Sequence, residues 1–401
     1  MCMKPILVVI AALVAARGVA QTPPPTPAEP WPERAARLSR EAEQRGLAEP
    51  FRGITTDGKV QPGLFSIRSS GVTTEPVRMA VEAWLATLSA EQRAKATFAV
   101  DDIEWRKWMN QDFYVRQGVS FKEMTEPQRA VAFAFMKAAL SAKGLQLSRD
   151  IMKLNETLGE LNHNDFVRYG ETLYWVTVMG TPSATQPWGF QIDGHHLIIN
   201  YFVLGDQVVM SPVFLGSEPV IAPSGKYKGL AILQEEQNRG VKMLLALDEA
   251  QRKRAILEFS KTGNNNLTEA FKDNVVLDYA GVRAASLTPA QKESLADLIE
   301  LFVSNLDEGH ARVKMAEVRA HLDETCFAWI GGSGPDDVFY YRIHSPVVLI
   351  EFDHQRPANL RHLAANPNLP NRQHIHIVVR TPNGNDYGKD LLRQHLLAEP
   401  H

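Results

Sequence analysis

The feature that most constrains this sequence is a helix-start signature that occurs four times. In each copy an apolar residue precedes a residue that can cap a helix, and a glutamine follows the cap by three positions. The caps and glutamines are Ser89 and Gln92, Thr125 and Gln128, Asp248 and Gln251, and Thr288 and Gln291. The cap side chain can accept a hydrogen bond from an early backbone N–H while the glutamine reaches back to the N–H of the cap, which makes a capping box. The signature therefore predicts four helices.

The helix starts form two pairs, and a strand-rich stretch follows each pair. The first stretch contains WGFQIDGHHLIINYF and QVVMSP, and the second contains FYYRIHSPVVLIEFD and HIHIVVRTP. This order predicts an α+β fold of two similar halves, each a helix pair followed by an antiparallel β-meander, packed as a pseudo-two-fold body. The alternative is that capping boxes and meanders recur by chance, because both are common.

The N-terminal residues are typical of a targeting segment. Lys4 precedes an apolar run at residues 6–16, and Gly18 and Ala20 are small residues at the positions that a signal peptidase requires. The apolar run is too short to cross a bilayer as a helix. We therefore expect a signal peptide at 1–20, an extracytoplasmic protein (periplasmic or secreted), and no stable membrane span after cleavage.

Composition divides the rest of the chain. Residues 21–33 are rich in proline and predict an extended linker. Residues 34–76 are turn-rich and predict an N-terminal covering segment, with an amphipathic helix at about 32–45. The two helix-and-meander halves then occupy 77–220 and 221–401.

Charge, cysteine content and missing motifs exclude several kinds of function. The net charge of −3 and the lack of a basic cluster argue against nucleic acid as a partner. With Cys2 in the signal peptide, Cys326 is left as a single thiol in an apolar strand, so we expect no internal disulfide and a buried, inert cysteine. No glycine-rich loop that could hold phosphates occurs, so a nucleotide cofactor is not expected.

Histidines recur in both strand-rich stretches. His374 and His376 are two residues apart, so in a strand they share one face and can bind one metal ion. His195 and His196 follow an Asp-Gly turn signal at 193–194, which can rotate one of them toward a common site. These histidines are the predicted metal ligands.

Carboxylates near the histidines are the predicted catalytic groups. Glu351 and Asp353 share a strand face, and either can serve as a fourth ligand or as a base, while His395 is a further candidate near the C-terminus. A divalent zinc, copper or iron ion suits a mainly imidazole ligand set. The alternative is that the histidines only form hydrogen bonds in the core or at the surface.

Several sequence blocks together resemble a bacterial family filed as domain of unknown function 3500. The blocks are Gly194-His195-His196-Leu197, Asn200-Tyr201-Phe202, Leu349-Ile350-Glu351-Phe352-Asp353, His374-x-His376 and Asn385-Asp386-Tyr387-Gly388. The resemblance covers most of the chain after about Val77 and brings no established reaction. It implies functional positions at His195, His196, Glu351, Asp353, His374, His376, Asp386 and His395.

Three hypotheses follow from the sequence. The first is an exported metal-dependent enzyme, hydrolase-like or with copper or iron oxidation chemistry, that acts on an unknown small molecule or peptide. The second is a non-catalytic extracytoplasmic protein that binds a metal or ligand, or has a structural role. The third is a metal-free fold in which the histidines join the two meanders through hydrogen bonds. The sequence does not indicate an oligomeric state.

Overall fold

The computed structural model of the protein describes residues 29–398. The expected signal peptide and most of the expected linker therefore lie outside the described residues. Among residues 29–398, no helix combines the length and the apolar composition needed to cross a bilayer.

Ten α-helices occur in the described part of the chain. They are α1 (Trp31–Gly46), α2 (Glu75–Thr87), α3 (Ala90–Ala96), α4 (Glu126–Ala139), α5 (Ala142–Leu161), α6 (Gln234–Ala246), α7 (Glu249–Ala255), α8 (Pro289–Val303), α9 (Glu308–Ala320) and α10 (Lys389–Ala398). Helix α1 is the amphipathic helix expected from the covering segment. All four predicted capping boxes are present, at the starts of α3, α4, α7 and α8. The prediction of one helix pair before each meander was too low, since α2 to α5 precede the first meander, in addition to α1 of the covering segment, and α6 to α9 precede the second.

Twelve strands within residues 29–398 form a single mixed sheet. They are β1 (Thr97–Phe98), β2 (Val119–Ser120), β3 (Tyr174–Met179), β4 (Trp188–Gly194), β5 (Leu197–Leu204), β6 (Gln207–Ser217), β7 (Ile256–Glu258), β8 (Val282–Arg283), β9 (Cys326–Gly331), β10 (Phe339–His344), β11 (Leu349–His354) and β12 (Ile375–Arg380). The fold is therefore α+β, as predicted. A tight turn at Gly205-Asp206 joins β5 to β6.

Two antiparallel meanders meet at the centre of the sheet. The strand order is β1-β3-β4-β5-β6-β12-β11-β10-β9-β7, with β2 beside β3 and β8 beside β9. The meander β3–β6 joins the meander β9–β12 through antiparallel pairing of β6 with β12, in which His376 lies opposite Gly216. The end of the first meander is thus hydrogen-bonded to the end of the second.

The two faces of the sheet are covered differently. The main hydrophobic core joins one face to the helices α2 to α9, and Ile375 and Ile377 of β12 belong to it. The other face carries Val378 and is covered by α10, by aromatic residues of an irregular segment such as Trp105, and by the covering segment through Phe65. Since side chains alternate along a strand, His376 lies on this second face. Cys326 is buried in β9, as predicted, and burial raises the pKa of its thiol.

Candidate metal centre

His195 and His196 form the two-residue turn between β4 and β5. The pairing of these strands ends at Gly194 opposite Leu197. The prediction of a turn at 193–194 was therefore wrong, and the observed turn lies two residues later. Asp193 stays in the strand because it is paired with buried Arg116 at 2.9 Å. Gly194 stays there because a Cβ at this position would lie 2.1 Å from the Tyr174 ring.

The backbone of His196 is fixed on both sides. Its φ is 64°, in the left-handed region that non-glycine residues rarely adopt. Its N–H donates to the carbonyl of Asn110 at 3.2 Å, and its own carbonyl accepts from the N–H of Gly216 at 2.9 Å. A Cβ on Gly216 would lie 3.3 Å from the His196 ring and 2.6 Å from the Ile375 carbonyl. The glycine therefore leaves room for the His196 ring beside β12.

Three imidazoles converge at this point. His374 immediately precedes β12, and its Nε2 lies 2.9 Å from the Nε2 of His376, which in turn lies 3.2 Å from the Nε2 of His196. One ligand atom from each of the three lies within 4.8 Å of the others. Tetrahedral zinc with bonds of about 2.05 Å places its ligand nitrogens about 3.3 Å apart. The spacing of the three rings therefore fits one divalent ion.

The hydrogen bonds on the far side of two rings fix which nitrogen is free. The Nδ1 of His374 lies 2.7 Å from the carbonyl of Arg356, and the Nδ1 of His376 lies 2.6 Å from a carboxylate oxygen of Glu269. Neither oxygen can donate, so each Nδ1 carries the proton and each Nε2 presents a lone pair. Two lone pairs facing each other at 2.9 Å repel unless a cation lies between them. This tautomer arrangement is the one found where carboxylates and carbonyls orient metal-binding histidines.

Burial keeps the imidazoles of His196 and His374 neutral. It lowers the pKa of His374 to about 4, against a favourable interaction with Glu218. Burial also lowers the pKa of His196 well below its usual range, and the neighbouring histidines act in the same direction. Because a metal ion binds only the unprotonated nitrogen, these two rings are ready to bind one at neutral pH.

His195 lies beside the three converging histidines and has hydrogen-bond partners of its own. Its ring stacks on His196 with centroids 4.0 Å apart. Its Nδ1 bonds to the side-chain oxygen of Asn155 at 2.8 Å, and its Nε2 lies 3.4 Å from the amide nitrogen of Asn359. Of the two histidines predicted for this segment, the structure thus brings His196 to His374 and His376, and His195 into contact with His196.

Glu351 and Asp353 lie on the same face as His376 but have other partners. Asp353 stands opposite His376 in the β11–β12 pairing, and it accepts from Lys261 at 2.5 Å. Glu351 accepts from Tyr340 at 2.7 Å and from the N–H of Leu267 at 2.8 Å. Both carboxylates hold the segment after β7 against the sheet. Among the described residues, neither belongs to the group of three that could share an ion, and their catalytic roles stay predictions.

His395 lies at the opposite end of β4 from the three histidines. Its Nε2 is 3.3 Å from the side-chain oxygen of Gln186, which precedes β4, whereas the His195–His196 turn follows it. A seven-residue strand is about 20 Å long. The structure therefore does not bring His395 to the converging imidazoles.

The nearest carboxylates to the histidines were missed by sequence reasoning. Glu269 lies in an irregular segment rich in asparagine, where no strand or helix period points to it. Burial acts to raise the pKa of Glu269, but contact with His376 outweighs this and the pKa is lowered. Glu218 lies 3.8 Å from the Nδ1 of His374, and it accepts from the N–H groups of Ala358 and Asn359. Only the folding of distant segments onto the sheet shows that both belong to the site.

The site is enclosed. His196 is 5% exposed, His374 2% and His376 7%. An apolar cleft of about 470 Å³ lies behind Glu218, between the residues that follow β6 and the segment that joins β11 to β12.

Comparisons with known proteins identify the family. No curated protein and no solved structure matches this chain. The family model described as a protein of unknown function, DUF3500, matches residues 70–389, which includes all three converging histidines, Glu218 and Glu269. The match covers most of the chain, and the protein therefore belongs to the DUF3500 family.

Proposed function

We propose that the protein is an extracytoplasmic metal-dependent enzyme whose ion is held by His196, His374 and His376. The observation that carries the proposal is that one ring nitrogen from each of the three histidines lies within 4.8 Å of the other two. The Nδ1 protons of His374 and His376 already point to oxygen acceptors. Neutral imidazoles with this orientation are the usual ligands of catalytic zinc, where three protein ligands leave one position for water or substrate.

A divalent ion at this site would act as a Lewis acid and lower the pKa of bound water to about 7. Around it, the Glu269 carboxylate would orient His376 and hold the proton on its Nδ1. Arg356 would do the same for His374 through its carbonyl. Hydrolysis of a small molecule or peptide is the reaction that this arrangement favours, and copper or iron bound by the same ligands would favour oxidation instead.

A second function, non-catalytic metal binding, is favoured by the burial of the ligands. All three rings are less than a tenth exposed, and structural metal sites are closed whereas catalytic sites keep an open position. In that case the ion would join the turn between β4 and β5 to β12 and stabilise the contact of the two meanders.

The first experiment is metal analysis of protein purified without an affinity tag. We expect about one zinc, copper or iron per chain in the wild type, and less than a tenth of that in the double variant His374→Ala/His376→Ala, because two of three ligands are lost. The matched control is His321→Ala, which removes a partly exposed histidine bonded to Glu324 and should retain the metal. Metal-free wild type that stays metal-free after incubation with each ion would contradict the proposal.

Cobalt substitution distinguishes the two functions. Cobalt(II) in a site with an open position changes its visible spectrum when azide is added, because the anion enters the coordination sphere. We expect such a change for the enzyme. A spectrum that azide leaves unaltered would favour the structural role.

We also propose that the two meanders and the helices before them form two similar halves related by a pseudo-two-fold axis. Three observations support this. Each half has four helices before a four-stranded meander, short parallel strands (β1 and β7) lie at the two ends of the sheet path, and β6 pairs with β12 at its middle. Equivalent capping glutamines also bond to each other, Gln92 to Gln128 and Gln251 to Gln291.

The proposed location depends on the signal sequence at 1–20. Expression of the full gene product in a Gram-negative host should yield periplasmic protein whose first residue is Gln21. Charged residues in place of Val8 and Val9 should keep the precursor in the cytoplasm, because a signal peptide needs an uninterrupted apolar region. A full-length chain in the cytoplasm of cells that express the wild type would refute the proposed export.

A further inference from the structure

A wide cleft in the described part of the chain has no role in the proposed function. It has a volume of about 930 Å³ and lies between the covering segment, the residues that follow β1, and the start of α10. This volume is within the range of about 300–1,000 Å³ typical of small-molecule sites. Its walls include aromatic side chains, amides and charged groups; they are lined by Phe51, Phe65, Gln61, Gln394, Asp101 and Lys389, among others.

Lys389 is an unusual residue in this cleft. It is the first residue of α10, where the helix dipole disfavours a positive charge. Its Nζ makes one long hydrogen bond, 3.4 Å to the carbonyl of Asp101. Within residues 29–398 no carboxylate forms an ion pair with it, whereas the fully buried Lys261 has Asp353 at 2.5 Å.

The charged groups around Lys389 act on its ammonium form in opposite directions. Arg106 is close enough to repel it, and its guanidinium is itself bound by Asp273 at 2.8 Å. Burial lowers the pKa of Lys389 to about 8, Arg106 acts in the same direction, and Asp101 and Asp102 act against them. About a tenth of this amine is therefore unprotonated at pH 7, a larger fraction than for an ordinary lysine with a pKa of about 10.4.

We propose that the cleft binds a small aldehyde or ketone and that the Lys389 amine forms an imine with it. The cleft geometry points to this role because Lys389 lines a ligand-sized space, and its amine has one long hydrogen bond and, within the described residues, no ion pair. A lysine that is desolvated and close to another cation is a common form of activated amine nucleophile.

The proposed step is balanced without an outside oxidant or reductant. The amine nitrogen attacks the carbonyl carbon, and one of its two protons passes to the carbonyl oxygen, which gives a carbinolamine. The carbon–oxygen bond then breaks as the second N–H proton joins the departing hydroxyl, so that one water is released. The imine that remains joins Lys389 to the former carbonyl carbon.

The charges of the cleft define the class of carbonyl compound. Arg106 is neutralised by Asp273, and Arg393 is paired with Asp390 at 2.6 Å. The remaining cations, Arg52 and Lys389, are balanced by Asp101 and Asp102. A cleft without net charge and with amide and aromatic walls favours an uncharged, hydroxylated carbonyl compound over an anionic 2-oxo acid.

The test is reductive trapping on the wild-type protein. Glyceraldehyde and glyoxylate are each incubated with the full protein and sodium cyanoborohydride at pH 7.5, and labelled lysines are quantified by peptide mass spectrometry. We expect Lys389 to be labelled by glyceraldehyde at least tenfold faster than exposed Lys59, with a rate that saturates as the aldehyde concentration rises. Glyoxylate should label Lys389 more slowly than glyceraldehyde.

Variants separate the site from general reactivity. Lys389→Met should abolish the rapid, saturable labelling by glyceraldehyde. The matched variant Lys59→Met should leave that labelling unchanged. Labelling of Lys389 less than tenfold above Lys59 would overturn the proposed nucleophile. A rate that stays linear in aldehyde concentration would overturn the binding site, and preference for glyoxylate would overturn the uncharged ligand class. The wild-type peptide map decides these outcomes even if Lys389→Met does not fold.

Discussion

At the scale of single residues, the site is governed by groups that hold the histidines and not by the histidines alone. The His196 ring contacts His376 because the backbone of His196 is left-handed and because Gly216 leaves room for the ring. Glu269 decides which nitrogen of His376 is free. Asp353 and Glu351 attach the segment that carries Glu269 to β11 through its backbone N–H groups. The predicted catalytic carboxylates therefore act at least as positioning residues.

Glu269→Gln tests this positioning. The amide keeps the size of the side chain but loses the charge that favours the Nδ1 proton on His376, so we expect metal affinity to fall about 10- to 100-fold. Competition with a chromophoric chelator measures the affinity. The matched control is Glu258→Gln, an exposed residue of β7. Equal affinity of Glu269→Gln and wild type would show that the carboxylate does not orient the ligand.

Lys261→Met tests the buried ion pair with Asp353. Both side chains are fully buried, and removal of the lysine leaves a buried carboxylate without its cation. We expect the free energy of unfolding to fall by about 3–5 kcal/mol, measured by urea denaturation. A loss below about 1 kcal/mol, the value typical of an exposed pair, would refute this account of the pair.

At the scale of elements, capping glutamines connect helices as well as start them. Gln128 bonds its own cap, Thr125, and donates to the carbonyl of Thr87 at the end of α2 at 2.8 Å. Gln291 bonds Thr288 and donates to the carbonyl of Ala246 at the end of α6 at 2.8 Å. Each glutamine thus joins the start of one helix to the end of another.

Equal energetic effects are expected at the two positions. Gln128→Ala and Gln291→Ala should each lower the free energy of unfolding by about 1–3 kcal/mol, because each leaves a backbone carbonyl and a cap without their partner. The two losses should agree within about 0.5 kcal/mol if the halves are equivalent. Gln394→Ala, outside both networks, serves as the control. A large difference between the two variants would count against the similarity of the halves.

At the scale of the whole molecule, two buried histidines outside the group of three converging imidazoles connect stability to pH. Burial lowers the pKa of His344 to about 4, helped by Arg342, and lowers the pKa of His354 to about 3, helped by Arg372. Both pKa values lie below that of an unfolded histidine, about 6.5. Above pH 6.5 both histidines are neutral in the folded and the unfolded chain, and they do not reduce the free energy of unfolding. As the pH falls from 6.5 toward the folded-state pKa values, the unfolded chain binds more protons than the folded one, so the free energy of unfolding decreases.

His354→Asn isolates one of these contributions. When the pH is lowered from 6.5 to 5, each histidine should lower the free energy of unfolding by roughly 2 kcal/mol. The variant should therefore lose about 2 kcal/mol less than wild type over this interval. Urea unfolding of both proteins in the presence of a chelator measures the difference without a contribution from bound metal. Identical pH dependence of the two proteins would contradict the assignment.

The sequence by itself determined what depends on neighbours along the chain. The capping boxes need only a cap and a glutamine three residues apart, and they were predicted with their positions. The strand-rich stretches of the two meanders were predicted as well, whereas the short strands β1, β2, β7 and β8 were not. The shared face of His374 and His376 follows from the alternation of side chains along a strand, and the direction of His354 away from Asp353 does as well.

Only the tertiary structure decided what depends on contacts between distant segments. It placed the turn at His195-His196 because Arg116 and Tyr174 hold residues 193 and 194 in the strand. It brought Glu269 and Glu218 to the histidines, and it put His395 at the other end of β4. Sequence pattern reports the direction of a side chain relative to its own strand, whereas the pairing of β6 with β12 and the packing of irregular segments decide which side chains meet.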